Sequence, residues 1–210
     1  MLERLIDKTC QDFTHALASK APVPGGGGAA ALAGALGTAL CSMVANYTIG
    51  KKKYAAVEDD IRAVLEKAEA LQTRLLELVD EDAAAFAPLS AAYAIPKDDP
   101  TRDTVLEEAS LRACQAPREM VRLSCEAVKL LEEVLEKGSV MLLSDVGCGA
   151  LLCGAAMRSA AMNVYVNTAS LQDRQKAKNL DAEIDALLTV FGPRADRMAE
   201  DVSRRLRKER

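Results

Sequence analysis

From Ala21 to Gly50 the chain carries no charge, and this run opens on Pro22-Val23-Pro24-Gly25-Gly26-Gly27-Gly28. Two prolines stop any helix arriving from the N-terminal side, and four glycines free the backbone that follows. The small residues from Ala29 to Gly50 then read as a new helix. A glycine loop that feeds a helix N-terminus presents unpaired N–H groups and the positive end of the helix dipole. Such an end suits an anion, or an oxyanion that forms during a reaction.

Half of the 210 residues are apolar, yet aromatics make up only 3% and Trp is absent. The core must therefore be built from Ala, Leu, Val and Met. Small side chains let helix axes approach closely, which favours packed helices over a sheet sandwich. The net charge of −4 argues against a general nucleic-acid binder, which carries a basic face. The basic stretch Arg204-Arg205-Leu206-Arg207-Lys208 reads as a solvated helix end.

Six cysteines, at 10, 41, 114, 125, 148 and 153, form no C-x-x-C pair, and His15 is the single histidine. No metal site follows from these spacings. Reduced cysteines among apolar residues act as small hydrophobes and point to a cytoplasmic location. The uncharged run raises a membrane question by its length. Its Ala, Gly, Ser, Thr and Asn content favours a buried helix instead, and the start Met-Leu-Glu-Arg-Leu-Ile-Asp is a poor signal peptide.

Apolar periodicity predicts six helices. Leu2, Leu5, Ile6, Thr9, Phe13 and Leu17 mark the first. The second covers about 27–49, where Gly34 and Gly37 cost helix propensity and imply close approach of another backbone. The third runs from about 57 to 95 with a kink or break expected at Pro88. The fourth runs from about 104 to 137 with a second kink point at Pro117. The fifth covers about 143–166 and the sixth about 173–208, interrupted at Gly192-Pro193. No useful segment alternates with period two. The expectation is one all-α domain over 1–210, a bundle of long, Pro-kinked antiparallel helices, with oligomerisation through the Ala- and Gly-rich faces of the second and fifth.

Several residues admit two readings. Gly25-x-Gly27-x-x-Ala30 formally matches a dinucleotide fingerprint, but no βαβ unit surrounds it. Ser42 with Asn46, and Asn163 with Asn167, lie four apart; they tie helices together or line a pocket. Asp82 shares a helix face with Phe86, where burial would raise its pKa and permit acid–base work; a solvated acid is the bland alternative. Asp145 is the lone charge between Lys137 and Arg158, either an N-cap or a buried functional carboxylate. Lys51-Lys52-Lys53 before Tyr54 is a solvated helix end or meets an anionic ligand tail.

Taken in order, Pro22–Gly27, Met43–Tyr54, Asp82-Ala83-Ala84-Ala85-Phe86, Ala92–Lys97, Ser144-Asp145-Val146-Gly147 and Asn163-Val164-Tyr165-Val166-Asn167 resemble the formiminotetrahydrofolate cyclodeaminase / methenyltetrahydrofolate cyclohydrolase family. The same module forms the C-terminal part of the bifunctional formiminotransferase-cyclodeaminase. The resemblance implies an all-helical homodimer that acts on a tetrahydrofolate derivative, with no tightly bound cofactor and no metal. Cyclodeamination closes the N5–N10 one-carbon bridge with loss of ammonia; cyclohydrolysis opens it with water. Both pass through a tetrahedral carbon and need proton transfer. On this resemblance Asp82 is the acid or base and Asp145 its electrostatic partner. Asn163 and Asn167 orient the pterin, Gly25, Gly26, Gly27 and Gly28 allow close approach, and Lys51, Lys52 and Lys53 meet the glutamate tail. Asn46, Tyr54, Lys97 and Ser144 stand in matching motifs and are carried over as substrate-binding positions. Gly28 departs from the Ser or Ala expected there.

Cyclodeamination of 5-formiminotetrahydrofolate is the first reading, with a separate glutamate formiminotransferase as possible partner. The alternative is cyclohydrolysis of 5,10-methenyltetrahydrofolate, and a non-catalytic helical scaffold is the remote third. Neither nucleic acid nor membrane is expected as a partner.

Overall fold

The computed structural model describes residues Arg4–Lys208, and among them every regular element is helical. Seven α-helices follow in order: α1 Cys10–Ala18, α2 Gly26–Asn46, α3 Glu58–Ala94, α4 Arg102–Ala113, α5 Gln115–Lys137, α6 Leu143–Thr168 and α7 Arg174–Arg207. The all-α expectation holds, with long helices and short connections.

The boundaries differ from the sequence reading in three places. The first predicted helix is a 3-10 turn, Leu5–Asp7, followed by α1, because Thr9 caps α1 by accepting the Asp12 N–H. Leu2 lies outside the described residues. The fourth predicted helix is two, divided at Cys114, so Pro117 falls in the first turn of α5, where a missing N–H costs no intrahelical bond. Pro193 does not interrupt α7, nor Pro88 α3; each lies inside a continuous helix. Asp173 starts α7 by accepting the Lys176 N–H.

Helices α2 and α6 form the centre of the bundle and run antiparallel. Gly26 faces Asn163, while Gly37 faces Gly149 and Cys153. A Cβ on Gly37 would stand 3.0 Å from the Gly149 carbonyl oxygen and 3.1 Å from the Cys153 backbone nitrogen, so this glycine lets two backbones touch. Gly34 meets side chains instead, those of Ser124, Ala156 and Leu75. Ile61, Leu75, Leu78, Met120, Leu131, Met157 and Ile184 complete the core from the surrounding helices. Bidentate ion pairs clamp the outer layer: Arg74 joins Glu119 between α3 and α5, and Arg194 joins Glu132 between α7 and α5. At the C-terminal end, Arg204 and Arg205 both pair with Asp201.

Both α2 and the segment Val140–Thr168 are long and apolar enough to cross a membrane by length and composition, but each also supplies buried core residues. All six cysteines are free; Cys41, Cys114, Cys125 and Cys153 are buried, Cys10 and Cys148 exposed. Burial pushes the Cys41, Cys125 and Cys153 thiols up to about 12 and Cys114 to about 11.

Candidate active site

The start of α2, the second half of α3 and the end of α6 enclose a cavity of about 290 Å³. The glycine loop forms one wall: Gly25 is the N-cap of α2, and Gly26, Gly27 and Gly28 make its first turn. No side chain of the loop caps these N–H groups. Asp82 of α3 does so instead, accepting the Gly28 N–H. Its carboxylate lies directly over Gly27, where any Cβ would collide with both oxygens. At Gly28, by contrast, a Cβ would meet only Pro24 at 3.4 Å and Val79 at 3.6 Å. That is ordinary contact, so the structure leaves room for a small side chain there.

Burial raises the Asp82 pKa above the usual aspartate value, and the Gly28 hydrogen bond opposes this without cancelling it. Asp82 is thus a carboxyl group placed for proton exchange. Asp82 and Phe86 both line the cavity, so the two share an inward face as their spacing predicts.

The opposite wall is α6. Asn163 and Asn167 both line the cavity, with Val166 between them. Asn163 Nδ2 donates to the Ser159 carbonyl at 2.9 Å, which fixes its amide beside Gly26. Asn167 Nδ2 donates to the Ala113 carbonyl at 3.0 Å. It therefore does what both sequence readings allowed: it ties α6 to the end of α4 and lines the pocket. Tyr93 closes one end, its hydroxyl 2.6 Å from Ser170 Oγ.

Phe86, Leu89 and Tyr93 also line the cavity, as do Pro22 and Val23. None was singled out as a site residue from the sequence, although the signal was present. Asp82, Phe86, Leu89 and Tyr93 recur at spacings of four, three and four, one stripe of a helix.

The remaining nominated residues stand elsewhere. Asp145 is in the first turn of α6, 18 residues before Asn163 and so about 27 Å away along the helix. It is not the N-cap, which is Leu142. Within one chain Asp145 is therefore not the neighbour of Asp82. Ser144 lies beside it. Asn46 ends α2, and Lys51 to Tyr54 follow, about 30 Å from the glycine loop. Val140 N donates to the Tyr54 hydroxyl at 3.2 Å and holds the phenol pKa below its ordinary value. Lys51 lies over the Tyr47 ring and Lys53 over the Tyr54 ring. Lys97 is exposed in the turn after α3 and does not line the cavity. The nominated residues thus fall at two ends of the α2–α6 pair.

Comparison with known proteins gives a consistent result. A family model described as formiminotransferase-cyclodeaminase matches residues 9–186. A methenyltetrahydrofolate cyclohydrolase of Methylorubrum extorquens is 43% identical over 200 residues, covering 93% of this chain and 96% of that protein. The formimidoyltransferase-cyclodeaminase of Rattus norvegicus is 28% identical over 190 residues, covering 89% of this chain but 35% of that protein. Among solved structures, formiminotetrahydrofolate cyclodeaminase from Thermotoga maritima superposes with a TM-score of 0.82 at 28% identity, covering 93% of this chain and 98% of that one. With its motifs, fold and matched length in agreement, the chain belongs to the formiminotransferase-cyclodeaminase family.

Proposed function

We propose that this chain is an enzyme of the N5–N10 one-carbon bridge of tetrahydrofolate, and that it hydrolyses 5,10-methenyltetrahydrofolate to 10-formyltetrahydrofolate. The observation that carries the chemistry is Asp82, a half-buried carboxylate with raised pKa seated over Gly27 in a pocket of amides. The cyclohydrolase relative that matches almost the full chain supports the hydrolytic direction.

In this reading Asp82 takes a proton as water adds to the methenyl carbon. The tetrahedral carbon then breaks its bond to N5, which receives that proton, while the carbinol hydroxyl releases its own proton to solvent and becomes the carbonyl oxygen of the formyl group left on N10. The negative carboxylate also favours the cationic amidinium as it binds. Asn163 and Asn167 hold the pterin edge, and the apolar wall of Phe86 and Leu89 excludes water from its face. The cavity is at the lower edge of the range for small-molecule pockets. It takes the ring system, so the benzoyl-glutamate portion extends beyond it. Carboxylate and amide groups are the ones assigned to the reaction, with no resident cofactor. Six free cysteines suit a reducing, cytoplasmic compartment.

Cyclodeamination is the second reading, supported by the fold match to a cyclodeaminase. There N10 attacks the formimino carbon, and Asp82 moves the N10 proton to the departing nitrogen, which leaves as ammonia. The formimino group would then come from a separate transferase.

The near-ultraviolet absorbance of the methenyl bridge tests both. Loss of absorbance from 5,10-methenyltetrahydrofolate faster than in buffer establishes hydrolysis. Rising absorbance from 5-formiminotetrahydrofolate with ammonia release establishes deamination. Activity on neither rejects both readings.

A further inference from the structure

Two prolines mark the ends of one segment. Pro88 brings no N–H to the Ala84 carbonyl, four residues back in α3, and Pro117 brings none to Ala113, where α4 gives way to α5. Both ends of residues 89–113 therefore lack a helical hydrogen bond, and such places are where helices bend. A hollow of about 190 Å³ lies between the two bends. Its lining includes Ala84 and Ala85 from one bend and Gln115 and Ala116 from the other. Short side chains and unfilled space leave the bends room to move.

Between the bends the chain is a unit of its own. Leu89 and Ala92 of α3 pack on Leu106, Ala109 and Ala113 of α4 in an apolar cluster separate from the main core. Arg102 Nε donates to the Ile95 carbonyl at 2.9 Å, and Asp99 accepts the Thr101 N–H at 2.8 Å, which closes the turn. Polar bonds tie this unit to the end of α6 and the turn after it. The Tyr93 hydroxyl meets Ser170 Oγ, and Glu107 accepts the Gln172 N–H at 2.5 Å and the Asp173 N–H at 3.4 Å. The Ala113 carbonyl, left free by Pro117, accepts Asn167 Nδ2. Segments with a small apolar core of their own and exposed polar ties open at a fraction of the free energy of global unfolding.

The same unit covers the cavity. Leu89, Tyr93 and Ala113 are its share of the lining, while Gly26, Asn163 and Asn167 belong to the bundle. We infer that residues 89–113 form a lid that swings about Pro88 and the α4–α5 junction, and that Tyr93 and Glu107 latch it shut. Opening parts Leu89 and Tyr93 from α6 and widens the cavity. It also withdraws the Ala113 carbonyl from Asn167, so this amide is fixed on the cavity wall only when the lid is closed. Entry of the pterin ring system through the opening rests on the folate reading; the movement itself does not.

Hydrogen exchange of the intact chain tests the movement. Amides of 89–94 and 106–113 should exchange at one common rate, well above that of central α2 and α6, with a step in protection at each bend. Glu107→Ala should raise that rate about ten-fold, the effect of a hydrogen bond to a charged group, and leave α2 and α6 unchanged. Pro88→Ala should lower it about five-fold, because Pro88 is exposed and one backbone hydrogen bond is regained. A segment that exchanges at the rate of the core overturns the lid. So does a Glu107→Ala chain in which all helices speed up together, or an unchanged rate in Pro88→Ala. For gating, Glu107→Cys and Gln172→Cys are combined in a Cys10→Ser, Cys148→Ser background and bridged by a bifunctional thiol reagent with a reducible spacer. Bridging should cut kcat/KM on 5,10-methenyltetrahydrofolate at least about ten-fold, and reduction should restore it. Full turnover in the bridged chain overturns the gating. A wild-type chain inactive on both folates rejects the functional reading alone, and hydrogen exchange still decides the lid.

Discussion

Gly27 and Gly37 lie on one helix, and neither can accept a side chain, but they leave room for different things. Gly27 leaves room for a carboxylate from α3, whereas Gly37 leaves room for the backbone of α6 and the Cys153 thiol. One vacancy serves the chemistry of the cavity and the other the packing of the bundle. A glycine's role is therefore read from what occupies the space a Cβ would fill. The two sites should part cleanly when each is filled.

The largest effect belongs to the group that Gly27 admits. Asp82→Asn should lower kcat by about 10²–10⁴-fold, the usual contribution of a positioned acid or base, in the methenyl absorbance assay. Its stability should not fall. Because the folded state raises the Asp82 pKa, ionisation opposes folding as pH climbs past the unfolded-state value, and the penalty is complete above the folded pKa. Asn carries no such penalty. The gap in urea midpoint between the variant and wild type should widen with rising pH across that window. A constant gap would remove the electrostatic account.

Gly27→Ala should come next, with a loss of up to about 10²-fold in kcat, since it displaces the carboxylate rather than deleting it. Its acidic limb in the rate–pH profile should also shift, because the Gly28 hydrogen bond is lost. Unchanged kinetics would show that Asp82 need not lie over the helix end. Gly37→Ala should leave the kcat of the folded protein intact while costing about 1–3 kcal/mol of stability, the range for overpacking against atoms that cannot move. Chemical denaturation measures it. Gly34→Ala should be the mildest. Its neighbours are side chains at 3.3–3.4 Å, and the gain of about 1 kcal/mol in helix propensity offsets the crowding. A loss equal to that at Gly37 would erase the contrast between side-chain and backbone neighbours.

Much of this was legible in the sequence. The Pro/Gly loop announced the start of α2, and the 3.6-residue stripes announced the long helices. Thr9 was legible as a cap in retrospect, since Asp12 follows three residues on. The break at Cys114 was not, because Ala113-Cys114-Gln115 contains neither Gly nor Pro. Asp82 could be placed on an inward face by its spacing from Phe86. Periodicity reports facing, however, and not position along an axis. Asp145 and Asn163 lie on one helix, and only their separation in turns reveals that they cannot share a cavity within one chain. Gly27 could be read as a close-approach residue, but which atom approaches depends on how α3 lies against α2, a tertiary fact.

The distribution of the cysteines gives this protein an internal chemical clock. Four thiols are shielded inside the bundle with their thiolate forms suppressed, and two face solvent. An alkylating reagent at neutral pH therefore modifies Cys10 and Cys148 rapidly and reaches the other four only when the helices separate. Mass spectrometry of the alkylated chain counts opening events directly, one population at two adducts and another at six.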